Sequence, residues 1–157
     1  MGKINLPKEI LEKASMKSLP AKEKEEYLNN LLMKVLDLNP DGVTISQVKE
    51  AIGLPPSTIW HHLEILKSTA QCRKISHGNM DVYHPYGKQE SLGEFETPKA
   101  RYTIEKVQNE EGTFVCIHDK RKNRQETYTV VRGIAIPAEI LNEVIDTLRK
   151  NNSILKK

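Results

Sequence analysis

The chain has 157 residues, room for one ordinary domain or two small ones, with 29% charged and 5% aromatic side chains and a mean hydropathy of −0.55. No apolar run approaches the ~20 residues needed to cross a bilayer, and residues 1–7 lack the apolar stretch of a secretory signal, so the expected setting is the cytoplasm, without a membrane partner. A net charge of +3 and a pI near 8.8 permit nucleic-acid binding without arguing for it.

In chain order, residues 8–14 read as a short helix after Pro7, and Pro20 starts a longer one that runs to about Leu38. In the longer helix Tyr27, Leu28, Leu31, Leu32, Val35 and Leu36 recur at i, i+3, i+4 spacing, which predicts one buried stripe with residues 22–26 facing solvent. Asn39-Pro40-Asp41-Gly42 stops it, because Pro cannot continue a helix and Gly accepts the backbone of a tight turn. Thr44 then suits an N-cap, with Gln47 three positions on as its capping-box partner, and Ile45, Val48 and Ile52 form the inner side of a two-turn helix closed by Gly53. After the turn Leu54-Pro55-Pro56, the segment STIWHHLEILK (residues 57–67) carries Ile59, Leu63 and Leu66 on the inner face of the next helix. Residues 73–84 are two strand-like runs around His77-Gly78-Asn79-Met80, whose Gly and Asn suit a hairpin turn.

Long helix, capped short helix, Pro-bounded helix and hairpin, in this order, resemble the winged helix-turn-helix repressors of the arsenical-resistance type, the winged helix itself covering residues 39–86 and STIWHHLEILK being similar to their recognition helix. The resemblance implies duplex DNA as partner and transcriptional regulation as role. A helix enters the major groove when its inner face is clamped and its outer face is small and able to bond base edges. Ser57, Thr58, Trp60 and His61 are the outward candidates, and the backbone N–H groups at residues 56–58 offer a phosphate site at the helix start. Lys49, Lys67, Arg73 and Lys74, with His77 and Asn79 at the hairpin tip, are candidates for the DNA backbone. His62, one turn from Ile59, reads instead as a packed structural histidine.

Residues 87–98 read as a polar linker, and residues 99–157 as a second, smaller domain. Strands are expected at 101–107, 113–118 and 126–132, with residues 119–124 as a basic hairpin tip. Pro137 opens a helix whose Ile140, Leu141, Val144, Ile145 and Leu148 make one apolar face. Strands followed by one helix, with the run RGIAIPAEILNEVIDTL (residues 132–148), are similar to the single-stranded-DNA-binding domain of the coactivator family called positive cofactor four. There Arg132-Gly133-Ile134 would match the step into the helix, and residues 114–117 the central strand. The resemblance implies a homodimer through residues 137–149 and a sheet that holds single strands. Physically, Lys120, Arg121, Lys122, Arg124 and Arg132 could neutralise phosphates while Tyr102, Phe114 or Tyr128 stack on bases. A charged tip is more often a solvated loop, and dimerisation is then the whole task of this half.

The fold class expected is therefore α+β: a winged helix-turn-helix domain with N-terminal helices over residues 1–86, then a small antiparallel sheet with a C-terminal helix. An enzyme is not expected, for no phosphate-cradling Gly loop, zinc spacing or paired nucleophile and base stands out. No cofactor or metal is expected either: Cys72 and Cys116 are far apart in apolar surroundings, as buried thiols of a reducing compartment would be, and the adjacent His61 and His62 point to different sides. Two rivals to a regulator stay open, a nucleoid or replication-associated protein binding DNA with little sequence preference, and a protein-interaction adaptor.

Overall fold

The structure is a computed structural model describing residues 2–124 and 126–155, for residue 155 the backbone alone. The described residues form an α+β chain of five α-helices and two antiparallel sheets, which divides into two compact units, Met1–Tyr86 and Gly87–Lys157. Among the described residues no helix is long and apolar enough to cross a membrane.

The first unit holds α1 (Lys13–Ser18), α2 (Ala21–Leu38), α3 (Ile45–Ile52), α4 (Pro56–Ser68) and the hairpin β1 (Cys72–His77) and β2 (Met80–Pro85). The early helix lies later than residues 8–14. The segment before it is held extended against α2, with the Asn5 amide on Asn39 Oδ1 at 2.8 Å and the Leu11 amide on the Tyr27 hydroxyl at 2.8 Å. Those tertiary bonds outweigh local helix propensity. The Thr44 cap forms a full capping box: the Gln47 amide donates to Thr44 Oγ1 at 3.2 Å, and the Thr44 amide to Gln47 Oε1 at 2.9 Å. Gly53 closes α3 in a left-handed conformation. Leu32, Val35, Leu36, Val43, Val48, Ile59, Leu63, Leu66, Cys72 and Tyr83 form one buried cluster, so α2, α3, α4 and the hairpin share a core. The hairpin is fastened to the turn after α2, where Val43 and Tyr83 exchange two backbone hydrogen bonds of 2.8 Å.

The second unit is a four-stranded meander in the order β3 (Lys88–Glu96), β4 (Arg101–Asn109), β5 (Gly112–Lys122) and β6 (Tyr128–Pro137). A single 3₁₀ turn, Ala138–Ile140, leads into α5 (Leu141–Lys150). Residues 87–98 are thus not a linker: most of them form the edge strand β3, paired along its length with β4. The basic tip also moves, since residues 119–122 continue β5 and the turn lies between Asn123 and Thr127. Arg132-Gly133-Ile134 sits inside β6 rather than at the entry to the helix, because pairing with β5 carries β6 on to Pro137. Ile140 belongs to the 3₁₀ turn, and α5 has no buried residue: Leu141, Val144 and Ile145 are half-buried and Leu148 is 59% exposed.

Candidate nucleic-acid interface

Helical spacing sorts the side chains of α4. Ile59, Leu63 and Leu66 are at most 1% exposed and clamp the helix into the core, with His62 buried beside them. His62 faces α2, its Nδ1 2.7 Å from Asn29 Oδ1, which makes it the packed histidine that its spacing suggests. Burial pushes its pKa below the ordinary imidazole value, and the neighbouring His61 adds to that. On the outer side Ser57 and His61 are exposed, Thr58 is half-buried and Trp60 is 51% exposed. His61 also reaches back to α2, where Nε2 lies 3.4 Å from Glu25 Oε1. Glu25 is therefore a partner of α4, not only part of a solvated charge run.

The start of α4 is a smaller phosphate site than residues 56–58 promise. Pro55 occupies the cap without a side-chain hydrogen bond, Pro56 has no N–H, and the Thr58 and Ile59 amides both donate to the Pro55 carbonyl at 3.1 Å. Of the three residues only Ser57 has an amide outside those bonds.

The basic candidates around α4 divide in two. Lys49, His77 and Asn79 are exposed, the last two flanking Gly78 at the hairpin tip. Arg73 is half-buried, with Nε and Nη1 shut off from solvent. Lys67 and Lys74 converge on Glu64 of α4, with Nζ atoms 3.4 Å from Oε1 and 3.5 Å from Oε2. The buried Tyr83 donates its hydroxyl to Glu64 Oε2 at 2.8 Å. Partial burial works to raise the Glu64 pKa, but the Tyr83 hydrogen bond and the charges of Lys67 and Lys74 prevail and hold it below the usual carboxylate range. Sequence reasoning passed over Glu64 because a lone acid on an outward helical position looks like any solvated charge.

In the second unit, strand register sorts the single-strand candidates by face. Phe95 pairs with Tyr102, Tyr102 with Asp119, and Asp119 with Arg132, so these four stand in one row across all four strands. Phe95 is 59% exposed and was missed with the strand that carries it. Asp119 holds both arginines of that face, Arg121 Nε at 2.9 Å and Arg132 Nε at 3.3 Å, while the Arg132 side chain stays 75% exposed. The Arg121 hydrogen bond, with the charges of both arginines, keeps the Asp119 carboxyl below its ordinary pKa against a smaller opposing effect of burial. Phe114, Lys120, Lys122 and Tyr128 belong to the opposite face, so Phe114 and Tyr128 do not form one stacking surface with Tyr102. There the Arg101 guanidinium covers the Tyr128 ring at 4.0 Å and also pairs with Glu94 and Glu96. Arg124 is exposed, in the turn beyond β5.

Both cysteines are buried free thiols, and burial drives Cys72 up to about 12 and Cys116 up to about 11. Among the described residues no three His, Cys, Asp or Glu side chains gather as metal ligands would.

Compared with protein-family models, characterised proteins and solved structures, the chain has no significant match to any of them.

Proposed function

We propose that residues 39–86 form a winged helix-turn-helix that binds duplex DNA, with α4 as recognition helix and the β1–β2 hairpin as wing, and that the protein is a transcriptional regulator. The observation that carries this is the division of α4: Ile59, Leu63 and Leu66 are sealed in the core while Trp60, Ser57 and His61 stand in solvent on the other side. A half-exposed Trp flanked by hydroxyl and imidazole groups on a rigidly clamped helix suits a groove better than bulk water. The second unit acts as the dimerisation module, for the apolar face of α5 is no more than half-buried and Leu148 on it is 59% exposed. A dimer would present two recognition helices to half-sites about one turn of DNA apart. A second activity, single-strand binding by the Phe95, Tyr102 and Arg132 row, is favoured by two aromatic side chains and an exposed arginine on one face.

The test is binding of the full chain to duplex and single-stranded oligonucleotides at two salt concentrations, beside the double variant W60A/H61A. A regulator prefers its own site over random duplex by ~10³ or more and loses that preference in the double variant. Steep salt dependence with no preference would make it a sequence-tolerant nucleoid or replication protein. No binding to either form of DNA would put the protein-interaction adaptor first.

A further inference from the structure

Four observations converge on Glu64. It lies on α4 one turn beyond Trp60 and His61, its side chain is 24% exposed, and its carboxylate gathers Lys67 and Lys74, two of the basic candidates for the DNA backbone around α4. The Tyr83 hydroxyl at 2.8 Å comes from a side chain with no exposed surface and fixes one carboxylate oxygen in place. Exposed ion pairs are weak partly because both flexible side chains must be ordered to meet. Here the hydrogen bond has already ordered one of them, and both lysines turn to a fixed anion. Sequence-independent affinity for duplex DNA depends on the number of phosphates a protein neutralises, and each cation held by a carboxylate is lost from that number.

We propose that Glu64 is a selectivity residue of the interface: by holding Lys67 and Lys74 on a carboxylate pinned by Tyr83, it weakens binding to random duplex and leaves discrimination to the base-reading face of α4. The inference rests on the proposed duplex binding. Its electrostatic consequence runs against the usual expectation for an interface residue, since removing Glu64 should tighten non-specific binding. The carboxylate also stands on the helix that enters the groove, where an acid accepts a hydrogen bond from cytosine N4 but repels phosphate. Loss of the acid therefore raises affinity for random sequence more than for a preferred site.

The experiment measures binding of the full chain to a random-sequence duplex over a range of salt, for the unchanged protein, E64Q and the control E9Q. Gln keeps the size of the side chain and an oxygen to accept from Tyr83, and E9Q removes the same charge from an exposed position outside α4. In E64Q affinity at low salt should rise several-fold, and the slope of log affinity against log salt should steepen by about 1 to 2, as one or two freed cations require. E9Q should leave the slope unchanged. In a background with Lys67 and Lys74 both changed to Gln, E64Q should no longer steepen it. An unchanged slope in E64Q, or an equal change in E9Q, overturns the inference while duplex binding by the unchanged protein still stands. Absence of salt-sensitive duplex binding in the unchanged protein overturns both.

Discussion

His62 on α4 and Asn29 on α2 meet at 2.7 Å, imidazole Nδ1 to amide oxygen, at a part-buried contact between the two helices. With the amide oxygen as acceptor, Nδ1 carries the proton of the neutral ring. Protonation would then place a charge on Nε2 in a site that burial and His61 already make hostile to it.

The folded-state pKa of His62 lies below the ordinary 6.5. Above that value the ring is neutral in both folded and unfolded chains and costs nothing. As pH falls through it the unfolded chain takes up the proton first, so stability declines until the folded pKa is reached. Denaturant midpoints of the full chain should fall on the acid side of pH 6.5, and H62Q should flatten that part of the profile. An unchanged slope in H62Q would assign the dependence to another group.

Gly42 and Gly78 separate two costs of adding one methyl group. Gly42 has φ +97, and a Cβ there would stand 2.5 Å from Val82 Cγ1 and 2.6 Å from His84 Cε1. Gly78, at the hairpin tip with φ +63, has open space around it. G78A should cost about 1–2 kcal/mol, the backbone penalty alone. G42A should cost more, because the hairpin must also move from the turn that Val43 fastens. Urea unfolding of both variants gives the order, and equal midpoints would mean that the Gly42 turn adapts freely.

What could be read in advance was encoded locally. The Thr44–Gln47 cap, the Gly53 stop and the apolar period of Ile59, Leu63 and Leu66 each need only neighbours within a turn or two. β3 was hidden because an edge strand with one exposed face after another has the composition of a solvated linker. Pairing with β4 makes it a strand, supported by ion pairs such as Glu94 with Arg101 at 3.0 Å. Phe95 went with it. Glu64 was hidden for a related reason: Tyr83 stands 19 positions along the chain and approaches only when the hairpin folds back on α4. The facing of Tyr102 against Tyr128 depends on a register shift between Asp119 and Lys120, which no alternation rule supplies.

The apolar side of α5 gives a further test. Since α5 has no buried residue, charged substitutions on it should spare the fold of one chain and act on association. Val144→Glu with Leu148→Glu should convert a dimer to a monomer by light scattering, with unchanged helix and sheet content by circular dichroism. Loss of two apolar side chains from an interface, at about 1.5–3 kcal/mol each, weakens the dimer by at least ~10². A variant that stays dimeric would place the interface elsewhere, and one that unfolds would make α5 part of its own unit's core.

The two faces of the second sheet make opposite predictions for single strands. Base stacking on an aromatic ring contributes about 1–3 kcal/mol per base, which is roughly 5- to 150-fold in affinity. Phe95 is open to solvent and shares a row with Tyr102 and the exposed Arg132, so F95A and Y102A should each weaken binding of a single-stranded oligonucleotide within that range. Tyr128 lies on the other face with the Arg101 guanidinium 4.0 Å above its ring, and a base could stack there only by displacing an arginine that also pairs with Glu94 and Glu96. Y128A should therefore leave single-strand affinity unchanged while lowering stability, since the Arg101 stack is lost. Arg132 is shared with Asp119 at 3.3 Å, so Arg132→Ala should reduce the salt slope by less than the ~0.7 of one free phosphate contact on a single strand. If Y128A weakens binding as much as Y102A does, the single strand does not run along the Phe95 face, and the row across the four strands serves the sheet alone.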